Sequence, residues 1–128
     1  MSMMLKSAAS AFALLMLVSV ACAEDKEEAQ PSEPSCTGNT MQMVECLKAK
    51  TAEWDKRMNT AYQKALKDAG PKQKDQLRAA QRLWVQYRDA NCLYYGLGEG
   101  TIARIDAGEC MRNMTEARAK ELEEVGEQ

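Results

Sequence analysis

Residues 77–92 read Leu-Arg-Ala-Ala-Gln-Arg-Leu-Trp-Val-Gln-Tyr-Arg-Asp-Ala-Asn-Cys, and this stretch decides the fold. Large and polar side chains recur in it at steps of three and four residues, which is the spacing of one face of an α-helix. The resulting stripe consists of Leu77, Gln81, Trp84, Arg88, Cys92 and Tyr95. The stretch therefore predicts a helix that packs against other helices and carries a cysteine near its end.

A second amphipathic stripe precedes it. Asn39 is predicted to cap this helix, with Gln42 at the third helical position as in a capping box. The stripe then runs through Leu47, Thr51, Trp54, Met58, Ala61, Tyr62 and Ala65. It predicts one helix from the cap to about Ala69.

The link between the two helices is very short. Gly70 is expected at the C-terminal cap of the first helix and Pro71 in the first turn of the next. A link of this length favours an antiparallel hairpin, with Trp54 and Trp84 facing each other in its core.

After the hairpin, residues 96–100 are rich in glycine and should end the second helix. Residues 101–107 are expected to form a short helical piece that breaks at Gly108, and residues 109–124 the last helix. Met111, Met114, Arg118 and Leu122 fall near one face of it. No segment alternates with the period of a strand. The predicted class is all-α, a small bundle of three main helices built on the hairpin.

The N-terminal region has the composition of an export signal. Residues 1–23 combine Lys6, an apolar run and a small-residue cleavage site at 21–23, so we expect cleavage before Glu24. The alternative is a lipid anchor at Cys22, because residues 19–22 are similar to a bacterial lipobox. Residues 24–35 are acidic and lack large apolar groups, which predicts a disordered tether. The helical domain is assigned to 36–124, and 125–128 to a flexible tail.

Four cysteines then remain, and the predicted helices bring them to one end of the bundle. An exported protein should join them in two disulfides, which predicts a stapled bundle. Four cysteines allow three pairings. The pairing Cys36–Cys92 with Cys46–Cys110 is the favoured expectation.

Several kinds of chemistry lack their usual residues. The chain has no histidine, a net charge of −2 and no C-x2-C pair. Histidine is the commonest general base, and C-x2-C is the usual spacing of zinc and redox sites. We therefore expect no enzyme activity, no metal and no cofactor. The absence of a basic field argues against a nucleic-acid partner.

Arg88 and Gln81 are polar residues within an otherwise core-facing stripe. A buried arginine must be paired or hydrogen-bonded. The favoured explanation is structural, either a pair with a carboxylate of another helix or a cap on backbone carbonyls near the cysteine end. The alternative is that Arg88 and Asp89 organise the nearby loop for binding.

Together these motifs resemble the LprI-type lysozyme-inhibitor family, a group of small exported bacterial helical domains. The resemblance rests on residues 77–92, on Cys36 and Cys46 with a short spacer between them, on 58–62, on 98–101 and on a closing pattern. The closing pattern consists of Cys110, Thr115, Arg118 and Leu122. The whole resemblance covers about residues 36–122. The chain departs from the family at Met58, where leucine is more usual, and at Gln42, which replaces an early glutamate. The family-motif residues are Tyr62, Gln81, Trp84, Arg88, Asp89, Thr115 and Arg118.

The resemblance implies a protein partner, namely a lysozyme whose active-site cleft the protein would block. Lysozymes are basic, so acidic groups at the cysteine end are the candidate partner-binding residues. These are Glu99, Asp106 and Glu109. The alternative is a structural or adaptor domain of the cell envelope that binds another periplasmic protein. The expected location is the periplasm or the exterior, and the oligomeric state stays open.

Overall fold

Three helices make up the computed structural model, which describes residues 35–127. They are α1 (Thr40–Asp68), α2 (Pro71–Gly96) and α3 (Ile102–Val125). No strand occurs among residues 35–127, and the all-α three-helix prediction is confirmed. The predicted signal, Cys22 and the tether as far as residue 34 lie outside the described residues.

The start of α1 follows the predicted cap. The Asn39 side chain accepts a hydrogen bond from the Gln42 backbone N–H at 3.0 Å. The Gln42 side chain in turn accepts from the Asn39 N–H at 2.9 Å. This reciprocal pair satisfies two backbone donors that the first turn of a helix leaves without partners.

The turn between α1 and α2 differs in detail from its prediction. Ala69 is the C-cap of α1, and Gly70 is the N-cap of α2 with a φ of −71°. The Gln73 side chain accepts from the Gly70 N–H at 3.0 Å. The prediction of a C-capping glycine was therefore wrong, because the chain leaves α1 in an extended conformation that needs no left-handed residue.

The third helix packs extensively against both α1 and α2, whereas α1 and α2 contact each other only weakly within residues 35–127. Gly108 near the start of α3 lies against Leu47 near the start of α1, so these two helices run parallel. The Cys92–Cys110 bond joins the end of α2 to the first half of α3, so α2 is antiparallel to α3. The direct link from α1 to α2 includes a 3.6 Å contact between Met58 and Gln81.

Gly108 does not interrupt α3, and the predicted break there was wrong. A Cβ atom at this position would lie 3.0 Å from Leu47 Cδ1 and 3.3 Å from Leu47 Cβ. The missing side chain therefore lets α3 approach α1 closely. The sequence alone shows Gly108 as a residue that weakens a helix. The reason for a glycine at this position is its contact with Leu47 on α1.

The core follows the α1 stripe most closely. Its buried apolar residues in the three helices are Leu47, Trp54, Met58, Ala61, Ala65, Cys92, Ala103, Ala119 and Leu122. Trp84, Tyr62 and Leu77 are partly buried and pack against this cluster. Tyr95 was expected in the α2 stripe but is 44% exposed, because the last turn of α2 extends beyond the closely packed part of the bundle.

Candidate functional site

Both disulfides form at one end of the bundle, as predicted, but the pairing differs. Cys36 is bonded to Cys46, with their Cα atoms 5.6 Å apart. Cys92 is bonded to Cys110, with their Cα atoms 5.4 Å apart. The favoured pairing of Cys36 with Cys92 was wrong. The segment before α1 lies against the early turns of its own helix, so each cysteine meets a partner that is near in the chain.

A methionine sulfur and an asparagine amide lie against the Cys92–Cys110 bond. Met114 Sδ lies 3.8 Å from the sulfur of each of these cysteines. The Asn91 side-chain amide donates towards Met114 at 3.3 Å and towards Cys110 at 3.4 Å. The end of α2 is thus attached to α3 by a covalent bond and by a polarizable cluster around it.

Arg88 is paired, as the sequence favoured, but its closest carboxylate belongs to its own helix and the carboxylate of another helix is more distant. Its guanidinium bonds to the Asp89 carboxylate at 2.9 Å and approaches Asp55 on α1 at 3.9 Å. It also contacts the Thr115 hydroxyl on α3 at 3.5 Å and lies over the Trp84 ring. One side chain, 12% exposed, therefore connects all three helices.

Gln81 and Arg118 form a second polar link one turn away. Arg118 Nε donates to Gln81 Oε1 at 3.0 Å, and both residues are buried. Gln81 Nε2 points at Met58 Sδ on α1, and Arg118 also pairs with Glu121 at 2.8 Å. A buried charged group is tolerated only with such partners, so the link specifies how α2 and α3 face each other.

Thr115 completes this network. It is fully buried, and its hydroxyl donates to the Met111 carbonyl at 2.7 Å while facing Arg88. The family-motif residues therefore lie mainly between helices, and Tyr62 packs beside them. In this arrangement most of them connect helices, and none of them lines the groove described next.

The predicted partner-binding carboxylates are only partly brought together. Asp106 and Glu109 line a groove of about 560 Å³ beside the Cys92–Cys110 bond. Glu109 is also 3.4 Å from Arg112. Glu99 lies in the turn between α2 and α3 and does not line this groove.

Three polar groove residues were missed by the sequence prediction. They are Asn91, Tyr95 and Asn113. Asn91 could have been predicted as a groove residue because it precedes Cys92, whose disulfide holds the end of α2 against α3. Tyr95 was assigned to the core, and its exposure places it at the groove instead.

Outside the groove, one ion pair has a resolved effect on titration. Arg57 on α1 bonds to Glu123 on α3, with one contact at 2.9 Å. This hydrogen bond lowers the pKa of Glu123 and raises that of Arg57. No cluster of three metal-ligating side chains occurs within residues 35–127.

The fold defines a small all-helical domain with two disulfides and a buried polar network between its helices. The family model described as lysozyme inhibitor LprI matches residues 32–122, which is most of the chain, and the protein belongs to that family. The resemblance is thereby confirmed, and the family is one of inhibitors and not of enzymes. No curated protein and no solved structure matches the chain. None of the helices in the described part is long and apolar enough to cross a membrane.

Proposed function

We propose that this protein is an exported, non-enzymatic inhibitor that binds a lysozyme and blocks its active-site cleft. The observation that carries the proposal is the family match over residues 32–122. Export agrees with the apolar segment and small-residue site of residues 1–23. Two disulfides agree with an oxidising compartment.

The proposed contact surface is the cysteine end of the bundle. Glu99 and Asp106 are exposed there and form no ion pair with any residue between 35 and 127. Carboxylates without a local partner are free to pair with the basic surface of a lysozyme. Asn91 and Asn113 provide neutral amides in the same groove as Asp106. These amides can exchange hydrogen bonds with the sugar-binding side chains or the backbone at the rim of a lysozyme cleft.

The proposed mechanism is steric exclusion by a rigid surface. Lysozymes cleave a sugar polymer that must lie along an open cleft between two carboxyl groups. A surface held by Cys92–Cys110 needs little ordering on binding, so more of the contact energy remains as affinity. The small net charge of −2 predicts short-range pairing and only modest long-range steering.

The test is direct binding to immobilised lysozymes of several classes, using the oxidised protein and charge-reversal variants Glu99→Lys, Asp106→Lys and Glu109→Lys. We expect a loss of affinity of about tenfold or more for Asp106→Lys, because a like charge would face a basic partner. Glu109→Lys should have a smaller effect, since Arg112 already neutralises part of the Glu109 charge.

Glu124→Lys is the matched control, because Glu124 is exposed at the opposite end of α3 and the substitution changes the net charge equally. It should bind as the unchanged protein does. If none of the three reversals alters lysozyme binding, the proposed surface is wrong. Binding to no lysozyme would favour the adaptor alternative for the whole protein.

A further inference from the structure

The outer face of α2 carries a long apolar stripe that no other helix of the described part covers. Its large members are strongly exposed: Leu83 by 65%, Tyr87 by 62%, Tyr94 by 76% and Leu97 by 76%. Ala80 precedes Leu83 by one turn, Ala90 lies between Tyr87 and Tyr94, and both alanines are exposed as well. Exposed aromatic and leucine side chains in one continuous stripe are unusual on a small domain and mark an interaction surface.

The spacing of this stripe has a specific meaning. Its six positions, Ala80, Leu83, Tyr87, Ala90, Tyr94 and Leu97, follow one another at alternating steps of three and four residues. That is the spacing of a coiled-coil seam, and it lies on a different face from the core stripe of the same helix. Its last member, Leu97, is the C-cap just beyond the end of α2. One helix thus presents two packing faces, of which the fold uses only one.

The stripe is also self-complementary. When two copies of α2 meet antiparallel around a two-fold axis, Tyr87 of one copy faces the small Ala90 of the other. In the same register Leu83 faces Tyr94, and Ala80 faces Leu97. Each contact then occurs twice, as an isologous interface requires. A parallel pairing would instead place tyrosine against tyrosine and alanine against alanine, which packs poorly.

Charge does not oppose this pairing. The residues flanking the seam on its open side are Ala79, Gln86 and Leu93, none of which is charged. Coiled-coil partners are usually selected by charges at such flanking positions. With none present, two identical faces meet without repulsion, and nothing on the stripe selects a different chain.

From this pattern we infer that the protein self-associates through an antiparallel α2–α2 contact between two copies. Two tyrosines and the exposed leucines provide roughly 600 Å² of buried surface per copy. That value is below the roughly 800 Å² per partner of a standard stable interface, so the dimer should be weak and concentration-dependent. None of the six seam residues lines the groove at Asp106.

The test is sedimentation of the oxidised protein over a concentration range from about 1 µM to about 1 mM, which spans weak affinities. The unchanged protein should move from monomer towards dimer across this range. Ala90→Glu and Tyr87→Lys should each raise the dissociation constant about tenfold or more, because each places like charges near the two-fold axis. An equimolar mixture of the two variants should dimerise again, since the introduced glutamate of one copy would then face the introduced lysine of the other.

Ala117→Glu is the matched control, because Ala117 is exposed on α3 and the substitution is chemically identical. It should dimerise as the unchanged protein does, and circular dichroism should show the same helicity for every variant. A protein that stays monomeric throughout, or an Ala90→Glu variant that dimerises normally, would overturn the inference. A mixture that stays monomeric would overturn the antiparallel register.

Discussion

Two guanidinium groups lie in the interior of this small domain, and each has a carboxylate partner on its own helix and at least one polar partner on another helix. Arg118 uses Gln81, while Arg88 uses Asp89, Asp55 and Thr115. Such pairs add little net stability when complete, but removing one member leaves a buried charge without compensation. Their main effect is to fix which helix faces meet.

The Gln81–Arg118 pair gives a prediction at the scale of one residue. Gln81→Ala removes the acceptor of Arg118 Nε and should lower the free energy of unfolding by about 2 kcal/mol. Denaturant unfolding followed by circular dichroism measures this. The exposed Gln86→Ala is the control and should change little. A double variant Gln81→Leu with Arg118→Met should recover much of the loss, and equal losses in single and double variants would contradict the pairing.

At the scale of helices, the sequence pattern predicted α1 and α2 closely because their stripes repeat over many turns. It predicted the number of disulfides but not their pairing, since three-dimensional proximity at one end of the bundle allowed all three choices. It also placed a break at Gly108, because a glycine that weakens a helix and a glycine that permits close packing look alike in one sequence. Only the position of Leu47 separates the two explanations.

Gly108→Ala tests that explanation. Alanine favours a helix over glycine by about 1 kcal/mol, so a mere weak point would be stabilised. We expect a lower melting temperature instead, because the new Cβ would lie 3.0 Å from Leu47 Cδ1 and crowd a side chain that is only 1% exposed. Gly96→Ala is the control, since its Cβ would meet Ala107 at an ordinary 3.4 Å. A rise in melting temperature for Gly108→Ala would contradict the packing role.

The ion pair between α1 and α3 predicts a pH dependence. Arg57 lowers the pKa of Glu123 in the folded protein below its ordinary value of 4.5. The stabilisation is therefore present above about that pH and is lost as the pH falls through the lowered pKa. Because both groups are partly exposed, its size should be below about 1 kcal/mol.

Glu123→Gln measures this contribution. Its melting temperature should lie slightly below that of the unchanged protein at neutral pH, and the two should converge in acid. Glu124→Gln has the same change of charge without an ion pair and should show no such convergence. A difference that grows as the pH falls would contradict the sign.

For the whole molecule, the arrangement separates stability from recognition. The buried network and the α1–α3 packing hold the bundle, while the cysteine end and the outer face of α2 present exposed groups with no role in that packing. Family membership and fold could be predicted from the sequence, because the motif residues are those that join the helices. The grouping of the surface carboxylates could be predicted only in part, since they follow no periodic pattern and their grouping depends on the final packing.

The most direct test of the central claim is lysis of peptidoglycan-rich cells by lysozymes of several classes, with increasing amounts of the purified oxidised protein. The account predicts dose-dependent inhibition of at least one class, with the reduced protein less effective because its cysteine end is no longer held. The Asp106→Lys variant should inhibit less at unchanged helicity. Unchanged lysis by every class, in the presence of a folded and oxidised protein, would contradict the account.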